Sequence, residues 1–177
     1  MPSTRDIAAR VVAFAAAATL STTQELARTV VPALGEEVDV DLVAEETLAL
    51  ISTATARAVA VGLPAAPECA EVLLELPFLY HDYLLGASLV AAGAEGDVEV
   101  DQTIYDRLDR KGGFYQAHFP PGRYPGPHAV ADKLPLWMGR ISPPALATSP
   151  QERLAELGLG ETLDLHLRLV LAFAKKV

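Results

Sequence analysis

Apolar residues recur every three or four positions along the first third of the chain, the spacing typical of amphipathic helices. An Ala-rich segment predicts a first helix over residues 4–20, because alanine is the strongest helix former. A capping signal at Ser21 and Thr22 then predicts a restart, with a second helix that ends near residues 32–35. We therefore expect two separate helices here.

A third helix is predicted over about residues 42–61, where apolar positions again follow the helical period. Either Asp39 or Asp41 is placed to cap its first turn. The inward face is predicted to carry Leu48, Ile51 and Val59. The adjacent Glu45 and Glu46 are expected to face water.

Two more helices are predicted in the middle of the chain. One spans residues 68 to about 93, and Pro77 predicts a kink or a split within it. The other runs from a cap at Asp101 to Lys111, where the pair Gly112 and Gly113 is expected to end it.

The C-terminal part contains three further candidate helices. The first covers residues 129–141 and is interrupted by Pro135, and the second follows a full capping signal over residues 149–158. In residues 161–176 the leucines alternate, which favours a strand, but leucine and alanine are helix formers. We predict a largely buried helix with His166 facing the core, whereas a strand would place His166 on the wet face.

Gly and Pro are concentrated between the predicted helices, at eight of the sixteen residues 112–127. Prolines lack an amide donor and glycines raise the entropic cost of order, so a long loop is predicted over residues 112–128. Its aromatic residues favour packing against the helices. The fold is thus predicted to be all-α, a single-domain bundle of about six to eight helices across residues 1–177, with this loop packed on it.

Charge is distributed unevenly along this acidic chain, whose net charge is −9. Residues 1–106 carry 4 basic and 17 acidic side chains, whereas residues 107–140 carry 6 basic and 2 acidic ones. Nine of the eleven aromatic residues lie between Phe78 and Trp137. A basic, aromatic segment is therefore expected to lie against acidic helices.

Composition also excludes several classes of protein. A net charge of −9 argues against a nucleic-acid binder, since phosphate contacts require a basic face. No apolar run approaches ~20 residues, so no membrane partner is expected, and the single cysteine, Cys69, leaves no intrachain disulfide. The N-terminus has some features of a secretory signal, but Ser3 and Asp6 favour a helix cap. We predict a soluble cytoplasmic protein.

The candidate catalytic residues are His81, Asp82, His118 and His128, which would serve a small metal-dependent or acid/base hydrolase or lyase. The adjacent His81 and Asp82 resemble the paired ligands of the HD-type metal phosphohydrolases, but that family also needs an earlier histidine, and His81 is the first. The spacing of His118 and His128 matches no structural zinc signature. No metal site and no particular cofactor are predicted.

The favoured function is a helical binding module whose basic, aromatic loop forms a pocket or docking surface. Its partner would be an anionic small molecule or a protein. The candidate ligand-binding residues are Tyr80, Tyr83, Arg107, Arg110, Phe114, Tyr115, Arg123, Tyr124, Trp137 and Arg140. In the alternative, the basic stretch only neutralises the acidic helices and closes the core. A stripe of Gly86, Val90 and Gly93 suits packing within one chain or across a homodimer.

Overall fold

The computed structural model describes residues 4–35, 38–62, 102–119, 133–142 and 156–176. In these ranges lie five helices: α1 (Thr4–Leu34), α2 (Val40–Gly62), α3 (Gln102–His118), α4 (Leu134–Ile141) and α5 (Leu159–Lys176). The same ranges contain no strand, which confirms the all-α prediction. Nor is any of these helices long and apolar enough to cross a membrane. The helix predicted at residues 68–93 and most of the one predicted at 149–158 fall outside the described residues.

Helix α2 is the centre of the bundle, because α1, α3, α4 and α5 all pack against it. Its start is capped as expected by Asp39, whose Oδ1 accepts a hydrogen bond from the backbone N–H of Leu42 at 3.0 Å. The predicted inward face is confirmed, since Leu48, Ile51 and Val59 are all buried. More than half of the residues of α2 are buried, so it is enclosed on several sides.

The prediction of two separate N-terminal helices was wrong, because α1 continues through Ser21 and Thr22 to Leu34. A threonine that caps a helix uses its hydroxyl on the backbone of its own first turn. Here the Thr22 hydroxyl instead bonds the Nδ1 of His166 on α5 at 2.9 Å. Helix α1 ends at Gly35, whose φ of +92° is readily adopted only by glycine.

The C-terminal segment is a helix, as predicted, and the alternation of its leucines has a different meaning. Leu163 and Leu167 are buried, whereas Leu165 and Leu169 are 59% and 52% exposed. Asp164 and Arg168, which are one turn apart, form an ion pair on the outer side of this helix. Alternation here reflects a helix with leucine on both faces rather than a strand.

A chain of buried hydroxyls and one imidazole joins α1, α2 and α5. His166 is buried, as predicted, and its Nε2 bonds the Thr55 hydroxyl at 2.7 Å while its Nδ1 bonds Thr22. Thr55 in turn bonds Thr19 at 2.9 Å. Burial lowers the pKa of His166 to about 4, so its ring is neutral at pH 7.

Helix α3 corrects the boundary of the predicted loop. It continues through Gly112 and Gly113 to His118, so the first seven residues of the predicted loop are helical. Two glycines in a helix cost about 1 kcal/mol each relative to alanine. This cost is offset by tertiary packing beyond them, where Tyr115 and Phe119 are buried. Residues 120–128 of the predicted loop lie outside the described residues.

The two glycines Gly113 and Gly62 should respond in opposite ways to the same substitution. A Cβ at Gly113 meets nothing within 4 Å, so Gly113→Ala is expected to raise the free energy of unfolding by about 0.5–1 kcal/mol. A Cβ at Gly62 would lie 2.6 Å from the Cβ of Ala174, so Gly62→Ala should lower it by about 1–3 kcal/mol. Urea denaturation measures both, and destabilisation by Gly113→Ala would contradict a helix through that position.

Acidification should destabilise the fold through His166. The unfolded histidine takes up a proton near pH 6.5 and the folded one only near pH 4. The contribution of His166 to the free energy of unfolding is therefore fully present above pH 6.5 and is lost as the pH falls from 6.5 to 4. The full loss is on the order of 3 kcal/mol. Because carboxylates also titrate there, the comparison is with His166→Gln, which stays polar but holds no such proton. If the original protein and His166→Gln showed the same pH dependence in denaturant unfolding, His166 would not be the cause of the acid destabilisation.

Candidate functional site

The side chain of Glu46, in the first half of α2, lies almost completely out of contact with solvent at 1% exposure. A buried carboxylate is costly unless hydrogen bonds replace its lost water. Lys111 Nζ lies 3.0 Å from Oε1 and Tyr115 Oη 2.8 Å from Oε2. Arg140 adds two bonds, Nη2 to Oε1 at 2.7 Å and Nε to Oε2 at 2.6 Å. Both carboxylate oxygens therefore accept two hydrogen bonds each.

The helices α3 and α4 supply these donors for simple geometric reasons. Arg107, Lys111 and Tyr115 follow one another at intervals of four along α3, so they share one face of that helix. Arg140 lies in the last turn of α4. Its side chain forks onto Glu46, the bidentate geometry in which arginine binds a carboxylate best.

A second carboxylate, Glu45, extends the arrangement toward the surface. Arg107 Nη2 and Lys111 Nζ each lie 3.2 Å from one of its oxygens. Lys111 thus bridges Glu45 and Glu46. Among the described residues, three cationic side chains, Arg107, Lys111 and Arg140, thus pair with these two carboxylates.

Aromatic rings line the same junction. The Arg140 guanidinium carbon lies 4.4 Å from the centre of the Phe114 ring, within cation–π range. The Phe114 ring meets those of Tyr115 and His118 edge-on, with centroids 5.1 and 5.0 Å away. Trp137 of α4 is fully buried and donates from Nε1 to the Thr47 hydroxyl at 3.2 Å.

We call this group the Glu46 cluster. Its members are Glu45, Glu46, Arg107, Lys111, Phe114, Tyr115 and Arg140. It joins α2, α3 and α4 through charged hydrogen bonds, which are about twice as strong as neutral ones.

The protonation states in the cluster follow from this geometry. Burial alone would raise the pKa of Glu46, but the hydrogen bonds from Arg140, Lys111 and Tyr115 outweigh it and hold the pKa below its ordinary value. Burial and the nearby negative charge of Glu46 raise the pKa of Tyr115. The hydrogen bond to Glu46 raises the pKa of Arg140. At neutral pH the carboxylate is ionised and the phenol is a donor.

The structure brings together five of the ten residues that the sequence nominated for ligand binding. Arg107, Phe114, Tyr115 and Arg140 belong to the Glu46 cluster, and Trp137 packs beside it. Arg110 is exposed on α3, one turn after Arg107 but outside the cluster, and its Nε bonds the backbone carbonyl of Asp106 at 3.1 Å. The other nominated ligand-binding residues lie outside the described residues: Tyr80, Tyr83, Arg123 and Tyr124.

Of the candidate catalytic residues, only His118 is described, and it packs against Phe114 at the end of α3. His81, Asp82 and His128 fall outside the described residues, so their convergence is a prediction that the structure does not test. Within the part of the chain that is described, no group of three or more His, Cys, Asp or Glu residues is arranged to hold a metal ion.

The expectation that Glu45 and Glu46 face water was wrong for Glu46, the centre of the cluster. A weak signal existed in the sequence. Glu46 lies three residues after Val43 and four before Leu50, both buried, so it occupies the apolar stripe of α2. Its partners Lys111 and Arg140 lie 65 and 94 residues away, and only the fold reveals them.

Neighbouring substitutions in α2 should have very different effects. Glu46→Gln removes the charge that Lys111 and Arg140 compensate, and we expect the free energy of unfolding to fall by about 3–5 kcal/mol. Glu45→Gln, in a more exposed position, should cost about 0–1 kcal/mol. Urea denaturation at pH 7 gives both values. A similar cost for the two variants would show that burial of Glu46 is not what stabilises the junction.

No family model, curated protein or solved structure matches the chain. The proposal for its function therefore rests on the geometry of the Glu46 cluster and its surroundings.

Proposed function

We propose that the protein is a helical binding module that docks an anionic group, carried by a small molecule or a protein partner. The docking surface would be the exposed side of α3 together with the end of α4. We call this surface the cationic face and define it by Arg107, Arg110 and Arg140. The observation that carries the proposal is that Arg107 and Arg140 stay partly exposed while they pair with Glu45 and Glu46.

Arg140 is the best-prepared group on the cationic face. Its guanidinium is held by two bonds to Glu46 and by the Phe114 ring, yet its side chain is 36% exposed. A guanidinium has five N–H groups, more than Glu46 takes up. An arginine already fixed in place loses little conformational entropy when it binds a further anion.

Arg107 and Arg110 complete the face, since residues three apart on a helix are neighbours. Arg107 is 44% exposed and its bond to Glu45 is a surface ion pair. Such pairs contribute only about 0–1 kcal/mol to stability. Replacing Glu45 by the carboxylate or phosphate of a partner would therefore cost Arg107 little. Arg110 is exposed and bonds the backbone carbonyl of Asp106 rather than an acidic side chain.

Tyr115 and Trp137 would support this surface from beneath rather than contact the partner. Both are fully buried, and their polar atoms bond Glu46 and Thr47. In this proposal they keep α3 and α4 against α2. Phe114, which is half-buried, contributes an aromatic ring to the surface.

Cellular setting and partner class belong to the same proposal. The net charge of −9 makes nucleic acid an unsuitable partner, because the cationic face is small beside the negative remainder of the chain. A cytoplasmic location fits the single cysteine, which forms no disulfide within the chain.

The hydrolase or lyase alternative is a second prediction, which requires His81, Asp82 and His128 to meet His118.

A fluorescence titration tests the proposal, because Trp137 is the only tryptophan and packs beside the cluster. Citrate and inorganic phosphate probe small anions, and a short poly-glutamate peptide probes an acidic protein segment. We expect saturable binding of at least one probe, weakened by salt. Arg107→Gln combined with Arg110→Gln should weaken binding roughly tenfold or more.

The matched control is Arg28→Gln, which removes an exposed arginine from α1. This variant should bind as the original protein does. Melting temperatures of all variants confirm that folding is preserved. Absence of saturable binding for every probe, or equal weakening by the α1 variant, would refute the cationic face.

A further inference from the structure

The outer face of α5 is apolar at its centre and charged at its ends. Four large hydrophobic residues are exposed in the described part of the chain, and two of them, Leu165 and Leu169, lie one turn apart on this helix. Ala172, one turn further, is exposed as well. The opposite face of α5 is buried against α1 and α2 through Leu163, Leu167 and Val170.

Charge gives this face a direction. Glu161 is exposed at the start of α5, and Lys175 and Lys176 are exposed at its end. Two parallel copies of α5 would place like charges together at both ends. Two antiparallel copies place Glu161 of each beside the lysines of the other. Their helix dipoles then point in opposite directions, which is favourable.

We propose that α5 is a self-association surface, on which a second copy of this chain docks its own α5 in antiparallel orientation. A two-fold axis close to Leu169 brings this leucine against its own copy and Leu165 against Ala172 of the other chain. Glu161 then lies level with Lys176. Alignment of the charges and alignment of the apolar residues therefore require the same register.

Arg168 is the group that this arrangement has to accommodate, because it lies next to the axis and would approach its own copy. In each chain it is already paired with Asp164, one turn earlier. This pairing reduces the repulsion between like charges. The ion pair therefore borders the apolar centre instead of opposing the contact.

The exposed surface of α5 is small for a dimer interface. A standard interface buries about 800 Å² on each partner, and one helix with two exposed leucines and an alanine provides less. We therefore expect a weak, reversible dimer with a dissociation constant on the order of 100 µM. The surface lies on α5, apart from the cationic face on α3 and α4, so either proposal can fail without the other.

Sedimentation velocity of the full chain, from about 10 to about 500 µM, is the first test. We expect a shift from monomer to dimer across this range. Leu169→Glu places two carboxylates at the axis and should weaken the dimer roughly tenfold or more. The matched control is Val40→Glu, an exposed valine on α2 that is 54% exposed and should leave association unchanged.

Charge reversal tests the register. Glu161→Lys alone, or Lys175→Glu with Lys176→Glu, should weaken association about threefold or more, whereas all three changes together should restore it. Circular dichroism and melting temperature establish that each variant is folded. A monomer at every concentration overturns the proposal, whether α5 is bare or covered by another part of the same chain. Association that the combined variant does not restore, or that Val40→Glu weakens equally, also overturns it.

Discussion

The buried carboxylate of Glu46 is the constraint on which the arrangement of this bundle depends. An ion removed from water is unfavourable by several kcal/mol unless its lost hydrogen bonds are all replaced. Here the replacements come from α3 and α4, through Lys111, Tyr115 and Arg140. Hydrophobic contacts tolerate small shifts of one helix against another, but four hydrogen bonds to one carboxylate do not. Glu46 thus fixes where α3 and α4 lie on α2.

Helix α2 carries a second polar network further along its length, where Thr55 meets His166 of α5. One network is ionic and joins α2 to α3 and α4, and the other is neutral and joins it to α1 and α5. Apolar burial supplies most of the driving force for folding, while buried polar pairs discriminate between alternative packings. The proposed anion-binding function follows from the ionic network, because the cations that neutralise Glu45 and Glu46 are only partly buried.

Local sequence was sufficient for much of the fold. The all-α class, the cap at Asp39, the inward face of α2 and the helical state of α5 follow from spacing and propensity within a few residues. The same holds for the ion pair of Asp164 and Arg168. For the candidate site, the concentration of basic and aromatic residues indicated α3 and α4 as its location, and Arg107, Tyr115 and Arg140 do meet there.

Tertiary structure decided what depends on distant partners. Thr22 has the sequence context of a helix cap, but its hydroxyl bonds His166, 144 residues away, and α1 continues through it. Gly113 has the sequence context of a helix end, but the helix continues to His118 because residues beyond Gly113 pack against the bundle. Glu46 has the sequence context of a solvated acid, but it is buried and pairs with Lys111 and Arg140. Propensity and periodicity describe how a residue prefers its immediate neighbours, whereas burial of a polar group depends on donors that only the folded chain brings near.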